Sequence, residues 1–87
     1  MVILTTTIIN QIKAKNFDLI LANINRNVLL DLAEEFTAFT VDSGLLVLSG
    51  LLQTDFEQLH NAYQNAGWSL LEKRQRTEWL ALVYQKD

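Results

Sequence analysis

No cysteine and no proline occur in these 87 residues, and there are only three glycines and one histidine. The missing cysteines rule out disulfides, thiolate catalysis and cysteine-ligated zinc together. A lone histidine, His60, cannot build a histidine-rich metal site, so no metal is expected. There is no G-x-G-x-x-G or other glycine-rich phosphate loop, and no G-x-S-x-G nucleophile turn. Met1-Val2-Ile3-Leu4 carries no basic region and no long apolar run follows it, so neither a signal peptide nor a membrane span is expected. A net charge of −3 argues against a general nucleic-acid surface. With 49% hydrophobic and 20% charged residues the composition is that of a globular protein. The expectation is one soluble, cytoplasmic domain spanning residues 1–87.

Without proline, glycine and asparagine punctuate the chain. Val2-Ile3-Leu4 reads as a short strand. Ile8, Ile9 and Ile12 have helical spacing, with Lys13 and Lys15 facing out. Phe17-Asp18-Leu19-Ile20-Leu21-Ala22 is apolar at nearly every position, as in a parallel strand covered on both faces. Val28, Leu29, Leu32, Ala33, Phe36 and Phe39 make one helical stripe, for which Asn27 is the expected N-cap. Asp42-Ser43-Gly44 reads as a turn into a second apolar strand, Leu45-Leu46-Val47-Leu48, ending at Ser49-Gly50. Thr54-Asp55-Phe56-Glu57 matches a capping box. Phe56, Leu59, Tyr63 and Ala66 give the helix behind it a buried face, and Gly67 suits a left-handed helix end. Residues 68–76 and 78–85 read as an antiparallel pair. The second carries apolar residues on both faces and belongs inside the sheet.

Strand, helix, strand, helix, strand, strand is an α/β order with right-handed crossovers. In such sheets ligands bind beyond the carboxyl ends of the parallel strands, here at Asn23 and at Ser49-Gly50. An amide at Asn23 offers one acceptor and two donors to an amine or an amino-acid moiety. The competing reading is that asparagines in a strand-to-helix connection only cap and turn, and Asn25 and Asn27 fit that reading better. Gly50 lets the backbone turn or approach a ligand. His60 adjoins the buried helix stripe and reads as structural or exposed. Lys73, Arg74 and Arg76 form the one basic cluster. Strand alternation puts Lys73 on the face opposite the two arginines, so a solvated strand end is the plainer reading beside an acidic partner or RNA.

FDLILANI, a helix, LLVLSG, a helix ending in NAGW, then LLEKR and EWLALV together resemble the carboxyl-terminal half of a class I S-adenosylmethionine-dependent methyltransferase. The pattern is similar to the PrmA family, which methylates the eleventh protein of the large ribosomal subunit, and covers about residues 17–86. The resemblance implies a truncated Rossmann-like sheet of parallel strands with a terminal antiparallel hairpin, whose last strand lies between the LLVLSG and LLEKR strands. It places Asn23 beside the cofactor's methyl group as the residue that orients the accepting nitrogen, and Ser49 and Gly50 on the rim of the same cleft. It implies S-adenosylmethionine as cofactor and a ribosomal protein as substrate. The family's glycine-rich loop and its acidic ribose-binding residue have no counterpart here, and Val2-Ile3-Leu4 would match the family's third strand. The expectation is therefore an isolated chain without turnover. The alternative is a non-catalytic interaction or dimerisation module, joining a second copy or a separate amino-terminal half through an open edge of the Phe17 strand.

Overall fold

The computed structural model describes residues 2–4 and 17–87. The strands are β1 (Val2–Leu4), β2 (Phe17–Ala22), β3 (Thr40–Leu52), β4 (Trp68–Arg76) and β5 (Trp79–Lys86). They form one sheet in the order β1-β2-β3-β5-β4. β1, β2 and β3 run parallel, and β5 is antiparallel to both β3 and β4. The last strand thus enters between β3 and β4, as the sequence pattern required. The helical stretch expected around Ile8, Ile9 and Ile12 lies outside the described residues.

One sheet face makes the core. Ile20, Ala22, Leu46, Leu48, Leu80, Leu82 and Tyr84 point into it and are buried. Three helices close it, α1 (Arg26–Asp31), α2 (Ala33–Phe39) and α3 (Phe56–Asn65), contributing Leu29, Ala33, Phe36, Leu59 and Tyr63. On the other face Leu19, Leu21, Leu45, Val47, Ala81 and Val83 are half-buried, and among the described residues no helix packs there. Cover on both faces of β2 was expected from its apolar run. Alternation in its burial shows one face closed and the other only partly so.

The edge of β2 is not wholly open. Val2, Ile3 and Leu4 pair with Ile20, Leu21 and Ala22. This corrects the expectation of an edge free along its whole length. A parallel neighbour satisfies the outward amides and carbonyls of residues 20–22, so that half of the strand is already used as a template.

The stripe over 28–39 is not one helix. The chain breaks at Leu32, with no glycine or proline to cause it. Tyr63 supplies the cause: its hydroxyl donates to the Leu29 carbonyl at 2.7 Å. That carbonyl receives a helical amide only from Leu32, at 3.3 Å. A side chain inserted into the hydrogen-bond ladder divides a helix in this way. A buried phenol without a partner would cost about 1–3 kcal/mol, so the bond anchors α3 on α1.

Three local expectations are corrected. The N-cap of α1 is Asn25, in extended conformation, whose Oδ1 accepts from Val28 N at 3.0 Å. Asn27 sits inside the first turn and accepts from Arg26 Nε instead. At α3 no Thr54–Glu57 box forms. The chain enters through a 3₁₀ turn, Gln53–Asp55, and the Asp55 carboxylate accepts from Leu52 N at 3.1 Å. Asp42-Ser43-Gly44 is not a turn before β3 but a bulge inside it. β3 advances from Thr40 to Leu45 while β2 advances from Phe17 to Leu19, and Ser43 takes a φ of 66°. Gly44 is buried there, with space for a Cβ closed by Thr40 Cγ2 and by the Val41 carbonyl at 2.9 Å.

An aromatic row runs under β5. Phe56 stacks on His60 at 5.1 Å, His60 on Tyr84 at 6.0 Å and Tyr84 on Tyr63 at 5.7 Å between ring centroids. His60 Nδ1 lies 2.9 Å from the Tyr84 hydroxyl, a structural role. Trp68 Nε1 donates to Thr37 Oγ1 at 2.8 Å, and that oxygen lies 2.9 Å from the Ala66 carbonyl, joining α2, the end of α3 and the start of β4. Burial pushes the Tyr84 phenol from 10.0 up to about 12, and the Tyr63 phenol higher still. An unfolded chain therefore releases these protons first. Stability is full below pH about 10 and falls as pH rises through about 12. Urea unfolding at stepped alkaline pH should show this loss, and Tyr84→Phe should reduce it, leaving the part that Tyr63 carries, although the variant is less stable at neutral pH.

Candidate functional site

Ala22 is the last paired residue of β2, opposite Leu48 of β3. Beyond that pair the two strands part. β3 carries a bulge: it advances from Leu48 to Leu51 while β5 moves only from Leu82 to Leu80. Ser49 and Gly50 are the bulge, and Gly50 has a φ of 72°, a conformation that costs a side-chain-bearing residue roughly 1 kcal/mol or more. Bulges re-aim backbone and side chains near strand ends.

The structure brings Asn23 and Gly50 together. A Cβ built on Gly50 would collide with Asn23 Oδ1 and lie 3.2 Å from its Cγ. The Asn23 amide therefore approaches β3 closely at Gly50, where no side chain bars it. Asn23 is exposed, and its side chain makes no hydrogen bond to another described residue. A neutral amide with free donors and a free acceptor, held at the carboxyl end of a parallel strand, suits a small polar ligand. Ser49 is half-buried in the bulge behind it.

Sequence reasoning missed Arg26 and Asp55. Arg26 Nη1 pairs with Asp55 Oδ1 at 3.1 Å, with the carboxylate nearly buried and the guanidinium part-exposed. The other oxygen, Oδ2, accepts from Leu52 N. One carboxylate thus ties the loop after β2 to the loop after β3. Asn25, Arg26, Asn27, Leu52 and Asp55 line a cavity of about 340 Å³ between these loops, which Asn23 does not line. The one available signal was an acidic residue in the turn after β3 facing a basic residue in the turn after β2. A second cavity, about 540 Å³, begins at Gly50 and runs along β5 past Ala81 and Trp79 to Arg74 and Arg76. Among the described residues no cluster of His, Cys, Asp or Glu gathers to hold a metal, and no helix is long and apolar enough to cross a membrane.

Comparison with known proteins agrees with this geometry. The family model described as "Ribosomal protein L11 methyltransferase (PrmA)" matches residues 1–87. The ribosomal protein L11 methyltransferase of Thermotoga neapolitana is 36% identical over 71 residues, covering 82% of this chain and 27% of the relative. That of Geotalea uraniireducens (strain Rf4) is 35% identical over 87 residues, covering 100% of this chain and 27% of the relative. The chain thus spans about a quarter of the length of these curated relatives. Among solved structures, a ribosomal protein L11 methylase from Lactobacillus delbrueckii subsp. bulgaricus superposes with a TM-score of 0.82 at 24% identity, over 90% of this chain and 40% of that one. A methyltransferase from Pyrococcus furiosus superposes with a TM-score of 0.64 at 21% identity, over 90% of this chain and 45% of that one. At those identities both show the Rossmann-like methyltransferase fold.

Two outcomes follow from the contacts. Gly50→Ala should destabilise the chain by about 1–3 kcal/mol, chiefly from its φ, because the exposed Asn23 side chain that meets the new Cβ can turn aside. Asn23→Ala in the same chain should therefore recover little, and a double-mutant cycle by chemical denaturation should give a coupling well below the cost of Gly50→Ala. Asp55→Ala should cost about 1–2 kcal/mol, more than Arg26→Ala, because it also strips the acceptor from Leu52 N. Equal losses for the two would show that the amide bond contributes nothing.

Proposed function

Because this chain belongs to the ribosomal protein L11 methyltransferase (PrmA) family, we propose that it forms the carboxyl-terminal part of an S-adenosylmethionine-dependent protein N-methyltransferase cleft, with Asn23 as its catalytic, substrate-orienting residue. The observation that carries this reading is the free Asn23 amide laid over Gly50 at the end of β2.

The residues present suit one end of the cofactor. Asn23, Ser49 and Gly50 would border its methyl group: the missing Cβ at Gly50 lets the Asn23 amide sit close to β3, and a neutral amide beside a cationic sulfonium costs no unpaired charge. When bound, S-adenosylmethionine supplies the methyl group. The chain's own part is orientation. The Asn23 carbonyl accepts from one N–H of the amine and so turns its lone pair towards the transferred carbon. The Arg26–Asp55 pair holds the two loops that set the distance between Asn23 and Gly50. Alignment alone contributes much of the rate in such a displacement, and no nucleophilic side chain is needed. A ribosomal protein is the proposed substrate. The glycine-rich loop and the ribose-binding acid of the family are not encoded in these 87 residues, so the isolated chain is proposed to bind the cofactor poorly and not to turn over.

A chimera tests this. Residues 17–86 would replace their counterpart in a full-length relative such as the Geotalea protein. The chimera should methylate ribosomal protein L11, and Asn23→Ala within it should lower kcat about 100-fold with little change in cofactor affinity. The 87 residues alone should give no saturable calorimetric titration with S-adenosylmethionine. A folded, cofactor-binding chimera without turnover would overturn the assignment, and turnover by the isolated chain would overturn the proposed dependence on the rest of the cleft.

A further inference from the structure

β4 is the outermost strand of the sheet and pairs only with β5. It is nine residues long, and no backbone group on its outer side bonds to another described residue. Register places its side chains. Arg74 lies opposite Ala81 and Arg76 opposite Trp79, on the face without helices, whereas Lys73 lies opposite the buried Leu82. Lys73 Nζ accordingly sits on the helix side, 4.1 Å from the centre of the Phe56 ring. Each face of this edge has its own cavity. The one of about 540 Å³ is lined by Arg74, Arg76 and Trp79. The other, about 410 Å³, is lined by Lys73, Gln75, Phe56, Thr54 and Glu57.

We propose that β4 is a docking edge for an extended acidic segment of another protein, which adds to the sheet as a sixth strand and sends alternate side chains into the two cavities. Main-chain pairing with an edge provides affinity, and pockets for alternate side chains provide selection. Carboxylates fit the arginine face. Arg74 is already paired with Glu72 at 2.7 Å, but Arg76 has no acidic partner among the described residues, and Trp79 is 52% exposed beside it. The Lys73 face shares its cavity with Glu57 and favours a small neutral or apolar residue against the Phe56 ring. The occupant is thus a strand with acidic residues at every second position. A second copy fits poorly, because parallel pairing of two such edges would set Lys73, Arg74 and Arg76 against the same cations, and full antiparallel pairing would set Glu72 against Glu72.

The test uses the 87-residue chain and a fluorescein-labelled synthetic peptide as long as β4, with Glu alternating with Thr and Val, followed by anisotropy. Saturable binding is expected. Arg76→Glu should weaken it about tenfold, and replacing each Glu of the peptide by Lys should abolish it. N-methylation of alternate peptide amides should also abolish binding while leaving every charge in place, an arm that needs no protein variant. Equal binding of the N-methylated peptide, or indifference to Arg76→Glu in a variant with an unchanged circular dichroism spectrum, would overturn the proposal. So would dimers of the free chain in sedimentation that the peptide cannot dissolve, or tighter binding of a single-stranded RNA of similar length.

Discussion

The hydrogen bond from the Tyr63 hydroxyl to the Leu29 carbonyl organises this molecule. Tyr63 is buried completely, so its hydroxyl must find an acceptor in the protein. The acceptor it finds is a carbonyl that would otherwise close a helical turn. Taking it divides the helix after β2 and fixes the position of α3 against α1. Tyr63 also stacks on Tyr84, so the same side chain locates β5 beneath the helices. Helix layer and inserted strand therefore meet on one side chain.

The two loops at the sheet's carboxyl end meet because β3 is irregular at both ends of its central run. The bulge at Ser43 lengthens its approach, with Gly44 accepting backbone that no side chain could tolerate. The bulge at Ser49-Gly50 puts Gly50 under Asn23, and pairing with β5 resumes beyond it at Leu51 and Leu52. Between them, Leu46 and Leu48 keep the strand anchored in the core. Asp55 then joins the exit to Arg26 and so to the connection after β2. Packing sets the strand, and hydrogen bonds set what its ends present.

Much of this could be read in the amino-acid order. Apolar runs gave β2 and β3, apolar residues on both faces gave an internal β5, and Gly67 marked the end of α3, where its φ is 101°. Asn23 and Gly50 were legible as strand-end residues, although their contact was not. The failures share a cause. Asn25 rather than Asn27 caps α1 because backbone conformation, not residue type, decides between two amides two positions apart. The break at Leu32 is caused by a side chain whose hydroxyl reaches the Leu29 carbonyl from 34 positions away. The paired edge of β2 and the Arg26–Asp55 tie are likewise long-range, and local patterns carry no record of which distant group arrives.

The position of β5 has a consequence for how the chain is made. It is synthesised after the other four strands, yet it lies between two of them. Until it emerges from the ribosome, β3 has one bare side and β4 has no partner at all. An apolar strand edge is then exposed for as long as translation of the hairpin takes, which is seconds at ordinary elongation rates. A nascent chain of this topology cannot close its sheet progressively. It must hold a gap open for its final strand, and that interval is when it is most exposed to misassembly and in most need of a chaperone.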